Sequence, residues 1–264
     1  MNDKISKIFP HRRSFINNSL CLLSSNPERK LNKNQKDGSS RFFVIMKFMN
    51  KLEEIANFAR KIHSGSNDGH GFDHIERVVN LAQKILLTEP AADSELVLAT
   101  CYLHDTYDEK LTTDVPKQKI KVLNFLNDIG ISKKVSDEIF SIIDNMSFSS
   151  NLSEKKALTL NGQIVQDADR LDAMGAWGIV RTLEYGWAKN RVIYDPNLQP
   201  LTYKSKEDYH AQQDNSTLNH FYEKLFLLKD LLNTTEGKRL GEKRDKIMHL
   251  FVSEIEQEYE ESHL

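Results

Sequence analysis

Cysteine, proline and glycine are all scarce in this chain: two, six and eleven in 264 residues. Two cysteines, Cys21 and Cys101, are too few for a disulfide framework and fit a reducing, cytoplasmic compartment. Cys101 lies inside an apolar run and reads as a small core residue rather than a nucleophile. So few helix breakers leave long stretches of unbroken helical periodicity. There is no internal repeat and no strong strand alternation, so an all-α fold is expected. No apolar run approaches the ~20 residues of a membrane span, which sets aside a membrane-embedded role. At 39% hydrophobic and 28% charged, the composition is that of a globular protein with a sizeable core.

An excess of one charge sign is missing from the whole but not from its parts. Nine Lys/Arg and three acids give residues 1–45 a charge of +6; against −2 for the chain, residues 46–264 carry −8. An acidic body argues against a general nucleic-acid binder. Residues 1–45 are rich in Ser, Asn and Lys and read as a basic, mostly disordered extension. Residues 46–264 read as the folded domain. The extension lacks a signal-peptide pattern. Organelle targeting stays as an alternative, weakened by Asp3 and Glu28, as does initiation at Met46 or Met49.

The body reads as a series of helices. Residues 52–62 and 75–87 carry apolar stripes at helical spacing, the second ended by Pro90. Asp93 or Ser94 caps a third helix, which runs to His104-Asp105. Asp114 and Pro116 open a fourth and Gly130 closes it. Ser132 opens a fifth, ending near Met146. Residues 160–189 form one or two helices broken near Met174-Gly175; residues 218–232 and 239–259 form the last two. The irregular stretch 190–212, with Pro196, Pro200 and several tyrosines, is long enough to be a lid.

Three places offer ligand chemistry: His74, His104-Asp105 and Asp169. A hydrophobic helix ending on His-Asp delivers an imidazole and a carboxylate at the edge of a core. Alone, that pair reads first as a C-terminal His favouring the helix dipole beside a solvated Asp, and the rest of the chain is what shifts the reading. Carboxylates at 167, 169 and 172 cannot share one helical face, but 169 and 172 are i,i+3 neighbours. Such an acidic run in an apolar segment needs a cation if buried, either a metal ion or an Arg partner. Two imidazoles and two carboxylates suit a borderline divalent ion, Mn, Fe, Co, Ni or Zn rather than Ca. With an open position, such an ion lowers the pKa of bound water and polarises a phosphoryl oxygen.

These residues, with their surroundings, resemble the HD-domain phosphohydrolase superfamily. Phe72-Asp73-His74-Ile75-Glu76-Arg77-Val78, Leu103-His104-Asp105-Thr106-Tyr107-Asp108-Glu109-Lys110 and the run from Val165 to Gly175 are similar to its stand-alone bacterial YpgQ/YedJ-type hydrolases. So are Gly178-Ile179-Val180-Arg181 and the run from Ser216 to Leu225. The resemblance spans about residues 50–260. It implies an all-α HD-domain helical bundle with additional C-terminal helices. It also implies one divalent metal ion held by His74, His104, Asp105 and Asp169. Manganese is the first choice of ion, with Fe, Co, Ni, Zn and Mg as alternatives. No His occurs between His104 and His210, which argues against the two-metal sites of phosphodiesterase-type relatives.

Roles for neighbouring residues follow from charge and position. Asp108 would position water or act as general acid/base, and Lys110 would hold a phosphate oxygen; a surface i,i+2 pair is the alternative. Arg77 would reach a substrate phosphate or hold Asp73. Asp172 is expected to orient a ligand imidazole from behind. His220, Lys224 and Arg181 are candidate phosphate contacts, with His70 a weaker one. Tyr203 and Tyr194 are candidate stacking residues, whereas Trp177, Trp187 and Phe221 are expected in the core. The group resemblance points to a nucleoside triphosphate pyrophosphatase. A nucleoside 5′-monophosphate phosphatase and a non-catalytic nucleotide-sensing module are the alternatives. The expected partner is thus a small phosphorylated molecule, a nucleotide first, with no nucleic acid or membrane; a homodimer stays open.

Overall fold

The computed structural model describes residues 38–64, 71–109, 111–211 and 215–263. Among them there is no strand, and the fold is all-α as the periodicity predicts. None of the described helices is long and apolar enough to cross a membrane. Helix α1 (Gly38–Ile62) begins before the expected domain boundary at 45/46, which therefore falls inside a helix. Residues 1–37 lie outside the described residues. Phe48, Leu52, Ile55 and Ala59 form the buried stripe of α1.

Helix α2 (Phe72–Leu86) buries His74, Ile75, Val78, Val79, Ala82, Ile85 and Leu86 on one side. Helix α3 (Ser94–Leu103) is the centre of the bundle. Every residue of it except Glu95 is buried, the mark of a helix enclosed on all sides. Helices α1 and α2 pack against it, as do α5 (Lys133–Met146) and α6 (Leu160–Asp172). The Asp93 carboxylate caps α3 by accepting from the backbone N–H groups of Glu95 and Leu96 at 3.0 and 3.2 Å, which is worth about 1 kcal/mol. Asp114 caps α4 (Val115–Asp128) ahead of Pro116, and Gly130 at φ +70° ends it. Ser132 caps α5 and Thr159 caps α6.

Helix α7 (Gly175–Ala188) follows α6 after a two-residue break at Ala173-Met174. Residues 189–205 are irregular, then come α8 (Lys206–Ala211) and α9 (Asn219–Glu223). The single helix expected over 218–232 is instead α9 followed by two 3-10 turns, Leu225–Leu227 and Lys229–Leu231. Lys224 breaks the helix at φ −141°, ψ −55°. Beyond it the leucines recur every three residues, and Leu225 and Leu228 are buried. A 3-10 turn eclipses positions i and i+3, so both face the core. The last helix, α10 (Thr235–Ser262), packs along α7 and α6.

Two core assignments need correction. Phe221 is fully buried, but Trp177 is 53% and Trp187 83% exposed. The face of α7 turned inward is built from Gly178, Ile179 and Gly186. A Cβ on Gly178 would lie 2.2 Å from the Ala173 carbonyl oxygen, and one on Gly186 equally close to Thr217 Oγ1. That approach leaves no room for indoles inside.

Candidate metal centre

Three helix ends converge. His74 sits in the first turn of α2, His104 is the C-cap of α3 with Asp105 next to it, and Asp169 lies in the last turn of α6. His74 Nε2 stands 3.3 Å from His104 Nε2, 3.5 Å from Asp105 Oδ2 and 3.6 Å from Asp169 Oδ1. His104 Nε2 stands 3.3 Å from Asp105 Oδ1 and 3.7 Å from Asp169 Oδ1. His74, His104 and Asp105 form the tightest set, with ligand atoms all within 4.8 Å of one another. Asp169, whose side chain is 35% exposed, approaches both imidazoles from the open side.

The other ring nitrogens decide what the Nε2 atoms can do. His104 Nδ1 lies 2.8 Å from the Cys101 carbonyl oxygen, and His74 Nδ1 lies 2.7 Å from Asp172 Oδ2. Both partners only accept, so each Nδ1 carries the proton and donates. In the neutral rings both Nε2 lone pairs then point at the shared centre, the arrangement of metal-binding histidines. Donors about 2.0–2.2 Å from one small ion stand roughly 3.0–3.5 Å apart. The separations here fit such an ion.

Electrostatics agree. Burial works against a charged His104, yet Asp105 and Asp169 outweigh it and push the imidazole up to about 10. Desolvation raises the Asp169 carboxyl, but the two imidazoles more than compensate and hold it well below the usual range. The cluster thus calls for one positive charge at its centre, which a proton or a cation can supply. Cys101 is fully buried and its thiol is pushed up by burial, so it stays neutral.

Behind the centre lies a second carboxylate. Asp172 ends α6 and is 1% exposed. Its Oδ2 accepts from His74 Nδ1, from Arg181 Nη1 at 2.9 Å and from Arg77 Nη2 at 3.2 Å; its Oδ1 accepts from Arg77 Nε at 2.7 Å. Burial would raise its carboxyl, but the bonds from His74 and Arg77 hold it down to about 2. Arg77 also donates to Asp73, and its guanidinium lies 4.4 Å from the Trp177 ring centre. The corner after α6 makes this possible. Gly175 takes φ +72°, which only glycine adopts freely, and turns α7 back so that Arg181 reaches Asp172. Arg77 and Arg181, candidates for substrate contact, are thus both on Asp172.

Asp167, left without a role by the sequence, faces the other way. It is fully buried. Oδ1 accepts from Asn233 N at 2.8 Å and Asn233 Nδ2 at 2.9 Å; Oδ2 accepts from Thr234 N at 2.7 Å and Thr234 Oγ1 at 2.8 Å. It fixes the start of α10 against α6. No local signal separates it from Asp169 two residues on.

The remaining candidates lie on the turn after Asp105, on the irregular strap of residues 189–205, and on α9, which contains His220 and is followed directly by Lys224. Asp108 is half-buried, with its N–H donating to the Asp105 carbonyl at 3.1 Å. Lys110 and His70 lie outside the described residues. Tyr203 donates to Glu223 Oε2 at 2.8 Å and packs edge-on against Tyr209, which in turn packs on Phe148. Glu223, 8% exposed, also accepts from Leu201 N and Asn215 Nδ2, pinning the strap to α9. No local sequence signal marks this role. Lys224 lies 5.7 Å from the Phe148 ring centre, and its N–H bonds the His220 carbonyl. Lys206 reaches Glu109 at 3.3 Å, joining α8 to the turn that carries Asp108. Tyr194 packs edge-on against Tyr259 of α10 and is not among this group.

Comparison with known proteins adds three relatives and a family. Residues 71–174 match the family model described as HD domain. The uncharacterized protein YpgQ of Bacillus subtilis (strain 168) is 33% identical over 214 residues, 81% of this chain and 96% of YpgQ. The crystal structure of YpgQ in complex with ADP is similar at a TM-score of 0.64 and 30% identity, over 80% of this chain and 96% of that one. A Lactobacillus plantarum crystal structure gives a TM-score of 0.74 at 38% identity, over 80% and 97% of the two chains. An HD-superfamily hydrolase from Bacillus thuringiensis gives 0.62 at 33% identity, over 81% and 98%.

Proposed function

The chain belongs to the HD-domain family, and from that premise we propose that it is a metal-dependent phosphohydrolase that cleaves nucleoside or deoxynucleoside triphosphates between the α- and β-phosphates. The products are pyrophosphate and a nucleoside monophosphate. One observation carries the reading: His74 and His104, each fixed through Nδ1, present Nε2 lone pairs to a centre shared with Asp105 and Asp169. A divalent transition ion on these donors, manganese first, would polarise a phosphoryl oxygen and lower the pKa of bound water. The nucleotide is supported by YpgQ, whose crystal structure is in complex with ADP. The cleavage position rests on the sequence resemblance.

The chain's own residues then divide the work. Asp172 and the Cys101 carbonyl hold the two imidazoles in one tautomer and one orientation. Asp169, the most exposed of the four donors, marks the side open to substrate. Asp108, within one turn of Asp105, orients the attacking water and takes its proton. Lys224 neutralises phosphate charge, and the strap with Tyr203 excludes water from the closed site. The test is a panel of nucleotides with Mn²⁺ and ³¹P NMR of the products. Pyrophosphate with a monophosphate is expected. Orthophosphate from monophosphates alone would replace this reading with a phosphomonoesterase, and tight binding without turnover with a sensor.

A further inference from the structure

Arg77 has the charge and the position in sequence of a substrate-binding residue, but its surroundings are those of a brace. Each of its three guanidinium nitrogens donates to a carboxylate: Nε and Nη2 to Asp172, Nη1 to Asp73. One face is covered by the Trp177 ring. Asp172 in turn touches His74 only at Nδ1. The two nitrogens of an imidazole point to opposite sides of the ring. Whatever is bound beyond Nδ1 therefore stands on the far side of His74 from Asp105, Asp169 and His104. To reach a phosphate at the centre, Arg77 would have to abandon a carboxylate that is 1% exposed, leaving that buried charge short of a partner.

The brace is built from three helices. Arg77 lies one turn after His74 on α2, Asp172 ends α6, and Arg181 and Trp177 come from α7. A single hydrogen bond from His74 would leave the Asp172 carboxylate free to turn. Guanidiniums arriving from α2 and α7 fix both of its oxygens, and with them the ring of His74.

We propose that Arg77 is a positioning residue of the metal centre, which orients His74 through Asp172 under the cover of Trp177 and does not bind substrate phosphate. The inference rests on the metal-centre reading above. It assigns Trp177, exposed on the surface of α7, the role of holding the guanidinium in place from outside.

The experiment is a calorimetric titration of the metal-free full chain with Mn²⁺ alone, followed by steady-state kinetics on a nucleoside triphosphate at saturating Mn²⁺. Arg77→Met is expected to weaken the Mn²⁺ Kd by about 10–100-fold, the range for partners standing behind a metal ligand. At saturating Mn²⁺ its KM should stay within about twofold of wild type, because no substrate contact is lost. Arg77→Lys keeps the charge but cannot span Asp73 and both oxygens of Asp172, so its Mn²⁺ Kd should fall between the two. If Arg77→Met does not fold, Arg77→Lys carries the same comparison. A variant with wild-type Mn²⁺ affinity and a KM raised tenfold or more would make Arg77 a phosphate ligand and overturn the proposal. A lowered Tm with unchanged Mn²⁺ affinity would overturn it as well, by making the brace purely structural. Wild-type protein that takes up no Mn²⁺ would instead sink the metal-centre reading itself.

Discussion

Asp167 and Asp169 are two residues apart on α6, and the structure gives them opposite tasks. Replacing each by Asn separates the tasks. In Asp167→Asn the new amide must face four donors, two at each end: Asn233 N and Nδ2 at one, Thr234 N and Oγ1 at the other. Whichever way the amide is turned, its NH₂ meets one of these pairs. Facing Thr234, the NH₂ strips that buried N–H of its acceptor; facing Asn233, it leaves Asn233 N only the 3.1 Å bond to the other oxygen; either way charge-assisted bonds become neutral ones. An unsatisfied buried donor costs about 1–3 kcal/mol and each weakened charged bond about 1 more, so the loss is about 2–4 kcal/mol. For a domain of this size that is a Tm drop of about 5–15 °C. The start of α10 is what comes loose, while the four donors of the metal centre stay in place. Asp169→Asn should do the reverse. It removes one carboxylate held by the two imidazoles, lowers the metal-free Tm less than Asp167→Asn does, and abolishes Mn²⁺ uptake and turnover. Urea and thermal melts of metal-free protein, with Mn²⁺ calorimetry beside them, read both. A full-strength Tm in Asp167→Asn would refute the argument, as would a collapse of Asp169→Asn.

His104→Ala and Asp105→Ala should each abolish uptake of about one transition ion per chain, together with hydrolysis; activity that survives in the presence of chelator would remove the centre from these residues. A chain starting at Met46 keeps Phe48, Leu52, Ile55 and Ala59, the buried stripe of α1, and should fold and turn over like the full chain; a large Tm loss would show that earlier residues pack on the body. Gly175→Ala should lower stability by about 1–3 kcal/mol, since φ is +72° and the new Cβ would lie 2.9 Å from Arg244 Cγ; an unchanged urea midpoint would contradict this. Asp172 has a folded-state carboxyl held down to about 2, below its unfolded value of about 4. Its contribution to stability is therefore complete above about pH 4 and is lost as pH falls through about 2. Urea melts of the metal-free chain from pH 5 to 2 should show this loss, and Asp172→Asn should lack it.

Much of the frame was legible because it is local. Asp93, Asp114 and Ser132 cap the helices they were expected to open, and Gly130 ends α4 where a left-handed residue is needed. These signals lie within one turn of what they control. His74, His104-Asp105 and Asp169 stood out only as a set in family-like surroundings, since a lone His-Asp at a helix end has a common alternative in the helix dipole. Of their companions only Asp172 was expected, behind a ligand imidazole. That Arg77 and Arg181 both bind it, and that Asp167 faces away onto Asn233 and Thr234, depends on helix phase and on which helices come near, and both are tertiary facts. The tryptophans of α7 misled because hydrophobicity reports a preference for burial but not the room available. Glycines line the buried face of α7 and leave no apolar signal in the sequence. Leucines 225, 228, 231 and 232 fit a period of 3.6 nearly as well as 3.0, so the 3-10 turns were hidden.

The two imidazoles differ in what secures them. His104 leans on the carbonyl of Cys101, a main-chain group that every amino acid at position 101 would supply. His74 leans on the side chain of Asp172, which a single nucleotide change can alter. Drift or design can therefore act on one ligand and hardly on the other. Changes at 172, 77 and 181 would grade the hold on His74 by steps, from two guanidiniums to one to none, while His104 stays put. A centre built this way can have its metal preference retuned from one side without being dismantled.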